Sequence, residues 1–168
     1  MRRPATTEWI GVSGSFVSAN DLFGPERPRL GDLLTKKGLL TPAQLENALA
    51  EARSSGELLG RALVRCGYVF EDELARTLAE QMNLLYVDVT VLGIDQLVAR
   101  MLPAEEGRRA AAIPVAVVRD RIRVVFADPS DETAQSIVAR HIPPGFEVVV
   151  GELSAIESAW NRIDRGQR

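Results

Sequence analysis

The chain has 168 residues, 46% of them hydrophobic and 26% charged, with a formal net charge of −3. This balance describes a folded chain of one or two small domains and offers no bulk attraction to a nucleic acid polymer or an anionic membrane. The single cysteine, Cys66, excludes an intramolecular disulfide and suits a reducing cytoplasm, and no apolar run approaches the roughly 20 residues of a membrane-crossing helix.

Residues 1–28 are rich in Gly, Ser, Pro and Thr and read as a linker or N-terminal extension, with Trp9, Phe16, Leu22 and Phe23 as anchors. From Arg29 the pattern becomes helical, and the chain says nearly the same thing twice. "RLGDLLTKKGLL" begins at Arg29 and "LLGRALVRCGYV" at Leu58. A shift of 29 residues aligns Leu30 with Leu59, Gly31 with Gly60, Leu34 with Leu63, Gly38 with Gly67, Leu45 with Leu74 and Leu49 with Leu78. A repeated phrase marks one supersecondary unit used twice.

Each phrase predicts a short helix, then a glycine suited to a left-handed stop, then a longer helix. Thr41 as N-cap, Pro42 at the first helical position and Gln44 form a start signal in the first copy. The second copy has Phe70 at the cap position, with Glu71, Asp72 and Glu73 supplying negative charge to the first turn. Leu45 and Leu49, like Leu74 and Leu78, fall at i, i+4 and form one stripe per helix, which by itself describes a core. Gly31 and Gly60 stand inside helical patterns, where glycine costs about 1 kcal/mol relative to alanine, so something must approach the backbone there.

Beyond Met82 the pattern turns to short β-type runs: "LLYVDV", "IPVAVV", "RIRVVFAD" and "FEVVV". A hairpin turn is expected near Arg119–Arg121, and helices over "DETAQSIVARHI" and "ELSAIESAWNRI". The fold class is therefore α+β. A helical module of two tandem hairpins spans 29–82, and a small α/β module with a short, mostly antiparallel sheet spans 83–168.

The two phrases resemble the MshEN-type domain, a tandem cyclic-di-GMP-binding module found at the N-termini of type II secretion and type IV pilus assembly ATPases and attached to some bacterial glycosyltransferases. The family phrase has 24 residues, opening R-L-G and closing in Gln. It matches "RLGDLLTKKGLLTPAQLENALAEA" at 29–52, the spacer "RSSGE" at 53–57 and "LLGRALVRCGYVFEDELARTLAEQ" at 58–81. "RRAAAIPVAVVRDRIRVVFADPSD", with Pro114 and Asp128-Pro129, is similar to the α/β part of the same N-terminal domains.

The resemblance implies that each phrase holds half of one cyclic di-GMP molecule per chain, with no further cofactor. Arg29 would stack on a guanine, as a planar guanidinium can. Leu30, Leu40, Leu45 and Leu49, then Leu59, Val69, Leu74 and Leu78, would offer apolar surface to the bases. Gly31 and Gly60 would let backbone N–H groups reach the phosphates, and Gln81 would hydrogen-bond the ligand. The first phrase closes in Ala52, so one polar contact is missing, and the second opens with Leu58. Arg27 and Arg61 complete the candidate set.

No G-x-x-x-x-G-K-[ST] phosphate loop and no nucleophile–base constellation is present, so no enzyme activity is expected. Cys66 is expected as a small buried apolar residue and His141 at a surface or helix end. The resemblance implies a cytoplasmic regulator, reaching the inner face of the membrane only through partners. Those partners would be a secretion or pilus ATPase core, a platform protein or a glycosyltransferase domain. The alternative is a protein-docking N-terminal domain that binds no nucleotide.

Overall fold

The computed structural model describes residues 28–165 and two short N-terminal strands, β1 (Glu8–Ile10) and β2 (Phe16–Ser18). Arg27, Leu22 and Phe23 lie outside the described residues. Four helices follow: α1 (Leu30–Lys36), α2 (Pro42–Ser55), α3 (Leu59–Arg65) and α4 (Glu71–Met82).

The 29-residue repeat is a repeat of backbone geometry. Arg29 caps α1 at φ −66°, ψ 147°, and Leu58 caps α3 at φ −70°, ψ 146°. Both short helices end in the same way. Gly38 and Gly67 are left-handed, at φ 73° and 70°. The residue after each glycine donates its N–H back into the helix, Leu39 to the Leu34 carbonyl and Tyr68 to the Leu63 carbonyl, both at 3.0 Å. This satisfies carbonyls that a helix end otherwise strands.

The start of α2 is the one expected from sequence. The Thr41 hydroxyl accepts the Gln44 N–H at 3.3 Å, and the Gln44 side chain accepts the Thr41 N–H at 2.9 Å. At α4 only half of that arrangement exists, because Phe70 has no acceptor: the Glu73 carboxylate takes the Phe70 N–H at 3.3 Å.

Symmetric pairs build the core between the repeats. Leu34 with Leu63, and Leu40 with Val69, are buried around Ala48. The other face of α4 belongs to a second, larger core. Ala75, Leu78, Ala79 and Met82 pack with the strands and helices that follow, so α4 serves both.

Those elements are β3 (Leu85–Tyr86), α5 (Gln96–Ala99), α6 (Ala104–Arg109), β4 (Ala112–Val118), β5 (Arg121–Phe126), α7 (Glu132–His141), β6 (Glu147–Val150) and α8 (Leu153–Arg165). Helix gives way to strand between Met82 and Leu85, through the left-handed Asn83. The sheet order is β2-β1-β6-β5-β4, with β3 also on β6.

The expected α+β class holds, but the sheet is mixed rather than mostly antiparallel. β4–β5 and β1–β2 are antiparallel, whereas β6 runs parallel to β5, β3 and β1. The reason is the helix α7 between β5 and β6: a strand–helix–strand crossover returns the chain in the same direction. Within the N-terminal extension two short segments are strands rather than loop. Glu8–Ile10 and Phe16–Ser18 carry aromatic and β-branched residues, and they extend the sheet beside β6. Cys66 is half-buried as the C-cap of α3, and His141 ends α7 exposed.

Candidate ligand-binding site

Each helical hairpin has a groove between its short and long helix. In the first repeat the groove is open, about 680 Å³, with Asp32, Thr35 and Lys36 on one wall and Pro42, Leu45, Glu46, Leu49 and Arg53 on the other. Adding 29 to these numbers gives Arg61, Val64, Arg65, Glu71, Leu74, Ala75, Leu78 and Met82. All but Met82 line a second cavity, of about 260 Å³. The two spaces are thus one groove, built twice.

What differs is the cover. The second groove is closed by Ala110, Ala111, Ala127, Asp128, Asp131 and Gly151–Leu153. Ala127, Asp128 and Asp131 follow the carboxyl end of β5 and Gly151–Leu153 that of β6, the place where open α/β sheets bind ligands, while Ala110 and Ala111 lead into the adjacent start of β4. Ala111 is held left-handed at φ 47° there, and its carbonyl accepts the Ala127 N–H at 2.9 Å.

The phrase glycines are accounted for by this packing. A Cβ on Gly31 would stand 2.6 Å from Leu45 Cδ1, and one on Gly60 3.2 Å from Leu74 Cδ2. The group that approaches each backbone is therefore the first leucine of the following helix. Thr35 Oγ1 also donates to the Gly31 carbonyl at 2.8 Å.

The other sequence-derived residues divide into four groups. Leu40, Val69 and Leu78 are buried core. Leu30, Leu45, Leu49, Leu58, Leu59 and Leu74 are half-buried, with Leu30 and Leu74 touching both cores. Arg29 and Arg61 are exposed, and only Arg61 reaches a cavity wall. Ala52 is buried, whereas its counterpart Gln81 is half-buried and donates from Nε2 to the Pro28 carbonyl at 2.8 Å.

The cavity wall is rich in carboxylates. Burial pushes the Asp128 carboxyl up from its ordinary range. Hydrogen bonds from Ser130 and the charge of Arg61 pull it back, and Asp131 adds to the rise. Asp128 Oδ1 accepts both the Ser130 N–H at 2.9 Å and its hydroxyl at 2.5 Å. Glu57 is held below its usual range chiefly by its bond to Arg65, whose guanidinium also reaches Glu51. Glu71 accepts the Ser154 N–H at 3.0 Å. Glu152 accepts the Tyr86 hydroxyl at 2.7 Å, and burial followed by this carboxylate pushes Tyr86 up to about 12. Arg76 lies over the same ring, 4.1 Å from its centroid.

Arg61 has no hydrogen-bond or ion-pair partner among the described residues, which leaves its donors available. Asp128, Asp131 and Glu152 were not among the sequence-derived candidates. The only signal was the Asp128-Pro129 pair, legible as a landmark and not as a wall of this cavity. Among the described residues no His, Cys, Asp or Glu cluster could hold a metal ion, and no helix is long and apolar enough to cross a membrane.

Residues 82–168 match the MshEN domain family. The type IV pilus assembly ATPase PilB of Thermus thermophilus is 38% identical over 144 residues, which are 84% of this chain and 15% of that protein. The chain thus spans less than a sixth of that relative's length. Among solved structures, that of MshE with cdg superposes with a TM-score of 0.70 at 33% identity, covering 82% of this chain and 99% of the other. The N-terminal domain of XpsE gives 0.70 at 27% identity, covering 80% and 92%.

Proposed function

The chain belongs to the MshEN domain family, and from that premise we propose that it is a receptor module for cyclic di-GMP, acting on an attached or partner assembly ATPase. The observation that carries the reading is the covered cavity on the second phrase, with Arg61 on one wall and Asp128 on the other. A guanine presents acceptors at O6 and N7 and donors at N1 and N2. A guanidinium with free donors serves the first pair, and a carboxylate serves the second. The leucine and alanine walls suit the faces of a planar base.

Arg29, exposed at the opening of the first phrase, supplies a second cation for the other half of the ligand. Similarity over nearly the whole length of an MshE structure with cdg, cyclic di-GMP, supports the same reading. The role is recognition, with no bond-making step assigned to any residue.

A second reading, a docking domain without nucleotide, draws on Ala52 and Gln81. One family amide is absent, and the other is engaged by the chain's own carbonyl.

Calorimetry of the chain with cyclic di-GMP, cyclic di-AMP, GTP and ATP tests the two. The receptor reading expects one cyclic di-GMP per chain and no response to the others. It also expects Arg29→Ala to weaken binding about 10- to 150-fold, the value of a charge-assisted contact. No heat with cyclic di-GMP would leave the docking reading.

A further inference from the structure

The two short helices are tied to their neighbours unequally. At the C-terminal end of α1, Lys37 pairs with Glu80 on α4. The equivalent tie on α3 exists, from Arg65 to Glu51 on α2 at 3.3 Å, and Glu51 and Glu80 are repeat counterparts. At the N-terminal end, Gln81 on α4 holds the Pro28 carbonyl. The counterpart of Gln81 is Ala52, which has no amide to reach the corresponding carbonyl of Glu57. So α1 is fastened at both ends and α3 at one.

We infer that Gln81 is a positioning residue for Arg29: by holding the peptide before it, Gln81 fixes the backbone from which Arg29 is presented, while the second phrase opens without such a hold. Arg29 sits between two fixed points. Before it stands the Pro28 carbonyl, bound across 53 residues of sequence, and after it Leu30, packed into both cores. The backbone of Arg29 is therefore set before any ligand arrives, and only its side-chain torsions remain to be ordered on binding. The hold itself is independent of the receptor reading; what Arg29 then contacts rests on that reading.

The test has two arms on the whole chain. In the first, amide hydrogen exchange is read without nucleotide in wild type and in Gln81→Leu, which keeps a side chain of similar bulk and removes the donor. The Leu33 amide, which donates to the Arg29 carbonyl at 3.0 Å, should exchange faster in the variant. The Lys37 amide and the melting temperature should hold. In Ala52→Gln, which supplies the missing amide, the Ala62 amide, bonded to the Leu58 carbonyl at 3.2 Å, should exchange more slowly. Unchanged exchange at Leu33 overturns the inference, whatever the chain binds.

The second arm is a double-mutant cycle with cyclic di-GMP. Gln81→Leu should weaken binding about tenfold in wild type and change it by no more than about twofold in Arg29→Ala, because Gln81 acts through Arg29. Full additivity overturns the inference and makes Gln81 a direct ligand contact. Absence of binding in wild type refutes the receptor reading alone, and the exchange arm still decides whether Gln81 holds Arg29.

Discussion

The indole of Trp160 fills the space where a side chain on Gly107 would stand. A Cβ there would come within 2.6 Å of Cε2 and closer still to Cζ2, while Nε1 of the same ring donates to the Ala112 carbonyl at 3.0 Å. Trp160 is buried and held by that bond, so it cannot retreat without losing it. Gly107→Ala should therefore cost about 1–3 kcal/mol, the range for overpacking a closed core. Urea unfolding followed by tryptophan fluorescence measures it, and a variant as stable as wild type would show that α6 can slide along α8.

Leu49 and Leu78 are counterparts in the repeat but not in burial. Leu78 is 2% exposed in the large core, whereas Leu49 borders the open groove. Leu78→Ala should lose about 2–5 kcal/mol of stability. Leu49→Ala should lose only about 1–2 kcal/mol, since less of its surface leaves water on folding. Equal losses would mean that the open groove is filled in solution.

The β4–β5 turn offers a gain. Arg119 and Asp120 both have positive φ, 49° and 62°, as a two-residue hairpin turn requires; neither is glycine, and Arg119 in particular adopts it at a cost that Asp120 bears less of. Replacing the pair by Asn-Gly should stabilise the chain by about 1 kcal/mol, relieving part of the left-handed cost. A melting temperature higher by about 2–4 °C is the expected readout.

Asp128 predicts a pH dependence. Its carboxyl is raised in the fold, so between the ordinary carboxylate range and its folded value the native state keeps a proton that the unfolded chain has released. Stability attributable to this group falls as pH rises through that window, from ~pH 4 upward, and the deficit stays constant above it. Asp128→Asn removes the charge while its side-chain oxygen can still accept from Ser130. The variant should lack that decline and be more stable than wild type at neutral pH. A decline of the same size in the variant would assign it to another carboxylate.

What was legible in the sequence is what short-range geometry dictates. Gly38 and Gly67 as left-handed stops, Thr41-Pro42-Gln44 as a helix start and the change of pattern after Met82 all depend on neighbours within a few residues. The hairpin near Arg119 was legible from its flanking strands, without an Asn-Gly turn signal.

What was not legible depends on distant partners. Asp128 meets Arg61 only because the carboxyl ends of β5 and β6 fold over α3 and α4. The stripe leucines share one pattern, yet Leu78 is buried beside a covered groove and Leu49 borders an open one, because the α/β body covers one repeat and not the other. The parallel sense of β5 and β6 follows from the helix between them, which the expectation of a mostly antiparallel sheet left out of account.

The lid on a single repeat has a consequence for what such a module could report. A ligand made of two identical halves has no head or tail, and a receptor of two identical halves would read it the same way round or reversed. Here the groove of one repeat is roofed by Asp128 and its neighbours and that of the other is bare. On the receptor reading, an indistinguishable pair of ends would become an inside end and an outside end, and a molecule without polarity would acquire one on contact with this chain.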